Sequence, residues 1–357
     1  MTNGPSMNLE TAAQPLSLRP GPAGAAATSV AQLAEGVPLL GAHLAATVEW
    51  AVAAAAETPA PGEGRTRETW EVLASAAAAD VAGARILEPH LDARSILREA
   101  SDAGIPVDLD AIGDRSDGSW GVYAAEGARL EARPARDGWR LEGTKDWCSL
   151  AGTLSHALVT AWTGPETRRL FAVALRQPGV HARRGPWVSR GLSQVVSAPV
   201  DFDDASAVPV GEDGWYLSRP GFAWGGMGVA AVWWGSTAPL VRSVIGRAQT
   251  STSDQVAEVF AGAADAAFWS VRAVLAEAAD AVDAGVTGRD LKITAERVRA
   301  ITSSQVESIL SITDRALGPA PLATDEQHAR RVADLRIYLR QHHGERDLAR
   351  LGRLLAS

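Results

Sequence analysis

Seven histidines and one cysteine carry much of the conventional reactive chemistry in this chain. His342 and His343 are adjacent. A neutral imidazole, with an ordinary pKa of ~6.5, can accept a proton near neutral pH. Both also sit in a run holding Arg330, Arg331, Arg336, Arg340 and Arg346. The competing reading is therefore a solvated helix whose cations favour its C-terminal end. Cys148 has no adjacent His or helix start to stabilise a thiolate, and reads as a small buried residue. His90 and His156 stand alone and read as core or surface residues. Gly225, Gly226 and Gly228 open a helix rather than follow a strand, so they are not a dinucleotide-binding fingerprint. They suit close packing or backbone approach to a ligand. Trp224, Trp233, Trp234 and Trp269 read as core or interface. One Cys excludes an internal disulfide and a multi-Cys zinc site. No Glu-x-x-His pair occurs in the late helical region, so no metal is expected.

Three regions must position these residues. Residues 1–28 form a Pro/Gly/Ser-rich leader expected to be disordered. Residues 29–118 read as a helical domain. Leu33, Val37, Leu40, Leu44, Val48 and Val52 recur at helical spacing, with Pro38 as a possible divider. Pro59, Pro61 and Gly62 break it, Thr66 or Thr69 starts a new helix, and Pro89 marks a kink or boundary. Residues 119–215 carry seven short apolar or alternating runs between Gly, Pro and Asp, predicting an antiparallel barrel or sandwich. Asp137 and Gly138 predict a hairpin turn, since Gly accepts positive φ. Residues 216–357 read as four long helical blocks, an antiparallel four-helix bundle. The expected class is α+β in the order helices, sheet, bundle.

Composition narrows function. A net charge of −8 argues against a nucleic-acid partner. The stretches Ala45–Ala56 and Ala223–Val241 are interrupted by Glu49 or rich in Gly and Trp, so no membrane span is expected. Met1–Gly24 lacks the basic and apolar order of a signal peptide, and a cytoplasmic location is the expectation. Of 34 Lys and Arg only Lys145 and Lys292 are Lys, which reads as codon bias.

Asp137–Ser149 resembles the middle-domain signature of acyl-CoA dehydrogenases, with Gly143, Lys145, Trp147 and Ser149 at matching spacing. Cys148 replaces the usual Ile, and the Asp-Gly turn lies one residue closer to Trp139. Val200–Ala205 with Val208 and Pro209, Ala316–Gly318, and Arg331–Tyr338 also resemble family motifs. The resemblance implies FAD held between the β region and the bundle, in a homodimer, tetramer or hetero-oligomer. It places Trp147, Cys148 and Ser149 along the flavin ring, and Arg242 on the FAD diphosphate of a neighbouring subunit.

Three features depart from the pattern. The family's Gly-Ser-Asp loop before the hairpin is replaced around Val122–Leu130. Ile245 stands for the Phe that follows the Arg242 position. Near the C-terminus His343 occupies the place of the dehydrogenase's catalytic Glu. The resemblance thus implies an FAD-dependent oxidoreductase acting on an acyl thioester such as an acyl-CoA, or on a related small substrate, with His343 as the candidate base. The alternatives are a flavin-dependent monooxygenase of the same fold, where His342 or His343 could deprotonate a phenol-like substrate, and a non-catalytic partner subunit.

Overall fold

The computed structural model describes residues 14–37, 39–113 and 117–356. Pro38 and the first half of the predicted leader lie outside them. The second half of the leader is ordered, contrary to expectation. Leu18 is buried, and Glu71 accepts hydrogen bonds from Ser17 Oγ, Leu18 N and Gly24 N. Composition predicts disorder there, but one buried carboxylate supplies the acceptors this extended segment needs.

Four helices follow: α1 (Ala25–Glu35), α2 (Leu44–Ala56), α3 (Thr66–Ala79) and α4 (Val81–Asp102). Asp80 caps α4 by accepting from Gly83 N at 2.8 Å. α4 continues through Pro89, so the expected kink or boundary is not a boundary. Burial on both flanks holds the turn that Pro89 weakens: Ile86, Leu87, His90, Ala93 and Ile96 are buried.

The sheet comprises β1 (Trp120–Tyr123), β2 (Leu130–Ala135), β3 (Gly138–Ser149), β4 (His156–Trp162), β5 (Arg168–Ala174), β6 (Val180–Ala182) and β7 (Ser197–Val210). The order is β1-β4-β2-β3-β7-β5, with β6 beside β7 and β5 pairing back to β4. It is one sheet curling back on itself. The ladders are mostly antiparallel, but β1 and β2 each meet β4 in parallel. The β2–β3 hairpin forms as predicted, with Gly138 at φ +127°.

Four short or long helices come next: α5 (Trp215–Ser218), α6 (Pro220–Ala248), α7 (Gln255–Asp283) and α8 (Gly288–Leu317). After them come α9 (Ala320–Thr324), α10 (Glu326–Tyr338) and α11 (Glu345–Ala356). The predicted fourth bundle helix is thus broken, and the break contains His342, His343 and Gly344 (φ +56°). α7 is apolar and long enough by composition to cross a membrane, which the sequence stretches considered above did not include. Here it packs against α6 and α8, with Val256, Val259 and Trp269 exposed.

One core runs from the N-terminal helices through the sheet into the bundle, including Trp70, Leu87, Leu141, Phe171, Trp233 and Tyr338. α3 and α6 approach closely at Gly235, where a Cβ would lie 2.1 Å from Ala74 O. α10 is pinned along one face at positions 331, 334 and 338. Arg331 donates to Ala77 O, Ala78 O and Ala79 O, capping the C-terminus of α3. Asp334 accepts from Leu192 N, and Tyr338 donates to Glu88 on α4.

Candidate functional site

The signature stretch is the second half of β3. Gly143 sits at φ +116°, and the chain entering β2 presses against it: a Cβ would lie 2.5 Å from Arg129 O. Lys145 is buried, and its Nζ donates to Thr160 O (3.0 Å) and Oγ1 (2.8 Å), tying β3 to β4. Burial lowers its pKa to about 8.

Beyond Lys145 the ladder slips. Lys145 faces Val200 and Cys148 faces Ala198, so β3 carries one residue more than β7. This is a β-bulge, and it re-aims side chains. Trp147 takes φ +61° and turns its indole outward, 60% exposed. Cys148 turns inward. Its thiol donates to Lys145 O at 3.2 Å, and burial pushes its pKa far up, which excludes a reactive thiolate. Ser149 is buried and shares a 2.7 Å hydrogen bond with Ser197 Oγ. The predicted flavin-facing triplet thus presents a flat apolar ring at a bulge, which fits a flavin platform. Cys148 takes no surface role.

Arg85 Nη2 donates to Ser149 Oγ at 3.2 Å. The same guanidinium lies 3.8 Å from Glu88 Oε2, and Tyr338 Oη donates to that oxygen at 3.2 Å. Arg85, Glu88, Asp92, Ser95 and Glu99 follow at three- and four-residue steps along one face of α4. Glu88 and Asp92 open on a cavity of about 420 Å³. Its walls include Trp70, Leu73, Leu91, Trp120, Trp224 and Gly228. That volume suits a small molecule with some apolar surface.

Burial raises Glu88 to about 7, against the pull of Arg85. Asp92 is also raised by burial, opposed by Arg219, whose Nη2 donates to Asp92 Oδ1 at 3.3 Å. Arg219 also donates to Glu99 Oε2 at 2.7 Å. A carboxyl group poised near neutrality beside an apolar cavity can exchange a proton with a bound molecule.

Arg242 lies exposed on α6, with no carboxylate partner among the described residues. His343 has a side chain 64% exposed, with Nδ1 3.5 Å from Asp347 Oδ1, and it is not part of the cavity wall. His342 is buried against Trp233, edge to face at 6.5 Å, and desolvation lowers its pKa. Neither Arg242 nor His343 hydrogen-bonds to the Trp147–Ser149 turn. His90 accepts from Trp120 N at 3.2 Å, and His156 stacks on Trp120 at 4.9 Å, so both serve the core. Gly225 and Gly228 do approach the ligand space: they line the cavity. Glu88 was not among the residues singled out from sequence, although its four-residue spacing to Asp92 is visible there.

No family model matches the chain, and neither does any curated protein. Solved structures do. KijD3, in complex with FMN and dTDP-3-amino-2,3,6-trideoxy-4-keto-3-methyl-D-glucose, aligns with a TM-score of 0.74 at 17% identity, over 92% of this chain and 91% of that one. FMN-bound TdsC from Paenibacillus sp. A11-2 aligns with 0.73 at 18%, over 92% and 95%; another structure describes TdsC as a dibenzothiophene monooxygenase. A nitrososynthase from Micromonospora carbonacea var. africana aligns with 0.74 at 18%, over 90% and 94%. At these identities the likeness is one of fold. It is the acyl-CoA dehydrogenase fold that the sequence motifs pointed to.

Proposed function

We propose that the protein is a flavin-dependent monooxygenase acting on a small molecule in the α4 cavity, rather than an acyl-CoA dehydrogenase. The observation that carries this reading is the position of Glu88. The acid–base group of the cavity comes from α4 and is supported by Arg85 and Tyr338, whereas the C-terminal position expected for a dehydrogenase base holds the exposed His343. The neighbours named with a flavin carry FMN, which favours FMN over the FAD suggested by sequence.

Trp147 and the bulge at Asp146 and Trp147 would help to hold the flavin. Bound and reduced, the flavin supplies two electrons for dioxygen activation, with one oxygen atom entering the substrate and the other leaving as water. The chain's own residues do the rest. The cavity walls exclude water and orient the substrate. Glu88 takes a proton from the substrate as oxygen is added, or returns one afterwards. Tyr338 fixes the carboxyl and Arg85 joins it to Ser149 on the flavin side.

The test is titration of the purified protein with FMN and FAD, oxidised and reduced, followed by ¹⁸O₂ incorporation into product. Quenched flavin fluorescence and labelled product support the reading. Failure to bind either flavin in either redox state, or anaerobic oxidation of an acyl-CoA with an artificial acceptor, overturns it.

A further inference from the structure

Glu88 and Asp92 each present one carboxyl oxygen to the cavity without a donor among the described residues. Tyr338 and Arg85 approach only Glu88 Oε2, and Arg219 approaches only Asp92 Oδ1. Glu88 Oε1 and Asp92 Oδ2 accept no hydrogen bond from the described residues, yet neither is sealed from the cavity. Gly225 contributes to that opening, since a Cβ there would come 3.0 Å from Asp92 Oδ1. Several donors nearby are committed: Thr58 and Thr69 donate to Ala54 O and Pro59 O, Arg98 pairs with Glu63, and Arg219 is held by Glu99. The indole N–H groups of Trp70 and Trp224 are buried without a partner among the described residues, and the Ser95 hydroxyl is left to serve a ligand as donor or acceptor. Arg94 is exposed at the margin. Glu88 and Asp92 are one helical turn apart, so their side chains project side by side, roughly 6 Å between Cβ atoms. The rest of the wall is largely aromatic and aliphatic.

We propose that this cavity recognises an amino group: its ligand is a small cyclic or aromatic amine whose nitrogen donates to Glu88 Oε1 and Asp92 Oδ2 while its ring packs against Trp120 and Trp224. A pair of acceptors one turn apart is matched by a nitrogen carrying two or three N–H bonds. A hydroxyl offers one. An ester or ether offers none and would leave both carboxyl groups desolvated without a partner, which is unfavourable. The aromatic wall adds attraction for a protonated amine. The inference rests on the reading that this cavity takes the substrate.

Three probes of like shape test it: 2-aminoindane, protonated at neutral pH; 5-aminoindane, a neutral aromatic amine; and indane, without a donor. Binding is measured on the flavin-free full chain by tryptophan fluorescence. At pH 8 both amines are expected to bind at least about tenfold tighter than indane. Glu88→Gln should remove most of that preference and leave indane within about twofold. Glu88 is faced by Arg85 and Asp92 on α4, Tyr338 on α10 and Arg299 on α8. Its carboxyl loses a proton near pH 7, so 2-aminoindane should bind more weakly at pH 6 than at pH 8. Equal binding of indane and the amines, or an undiminished preference in Glu88→Gln, overturns the proposal. If that variant does not fold, the three-probe comparison and its pH dependence decide. Because flavin is absent, amine selectivity can succeed while flavin uptake fails, and the reverse.

Discussion

Tyr338 Oη donates a 3.2 Å hydrogen bond to Glu88 Oε2 across 250 residues of sequence. A donor to a carboxylate favours its ionised form. Tyr338→Phe keeps the ring in the core and removes that donor, so Glu88 should become a weaker acid. The limb of the pH–rate profile belonging to Glu88 should move up by about half a unit to one unit. An unmoved profile in a folded variant would detach Tyr338 from the chemistry.

Glu88 also makes a stability prediction. Its folded pKa of about 7 exceeds the ordinary 4.5, so the folded state holds the proton more tightly than the unfolded chain. Stability from this group is present at low pH and falls as pH rises from 4.5 through 7, by up to about 3 kcal/mol. Glu88→Gln should gain on wild type between pH 5 and pH 8 in urea unfolding. A constant difference at both pH values would contradict the buried-acid picture.

His90 tilts the other way. Burial lowers it from 6.5 to about 4, so the folded state resists protonation while the unfolded chain accepts it. Stability from the neutral imidazole is full above 6.5 and is lost as pH falls toward 4. His90→Asn should flatten the acid side of the stability curve. Comparing each variant with wild type separates this slope from that of Glu88.

The bulge gives two neighbours opposite behaviour. Trp147→Ala should leave thermal stability nearly unchanged and weaken flavin binding by about tenfold or more. Cys148 should resist a thiol reagent at pH 8 in the folded protein and react at once in denaturant, because its thiol is buried and hard to ionise. Rapid labelling of folded protein would refute the inward orientation.

Gly235→Ala tests the α3–α6 contact. The added Cβ meets backbone at Ala74 O rather than a movable side chain. A loss of about 2 kcal/mol or more is expected in denaturant unfolding. A neutral effect would mean that the two helices separate easily.

Much of the frame was legible. The strands were readable because apolar runs alternate with turn residues, and Asp137 with Gly138 marks the hairpin. The bulged turn of β3 was readable from Gly143, Lys145, Trp147 and Ser149, whose residue types meet specific demands of close approach, bulge and anchoring. The cavity was not. Pro89 suggested an interruption, and an interrupted helix does not align Arg85, Glu88, Asp92 and Glu99 into one stripe. The order of residues 14–24 was hidden for a different reason: it depends on Glu71, a partner dozens of positions away. The break at His342–Gly344 was masked by the Arg-rich pattern continuing on both sides.

The three anchors of α10 bear on the birth of the protein. Arg331 closes α3, Asp334 holds Leu192, and Tyr338 reaches Glu88, so segments made earlier are completed by a helix made well after them. During synthesis the N-terminal helices emerge with exposed carbonyls at residues 77–79 and must wait for a guanidinium encoded far downstream. A nascent chain arrested before Arg331 should be helical yet bind no ligand, and should be a client for chaperones until α10 has emerged.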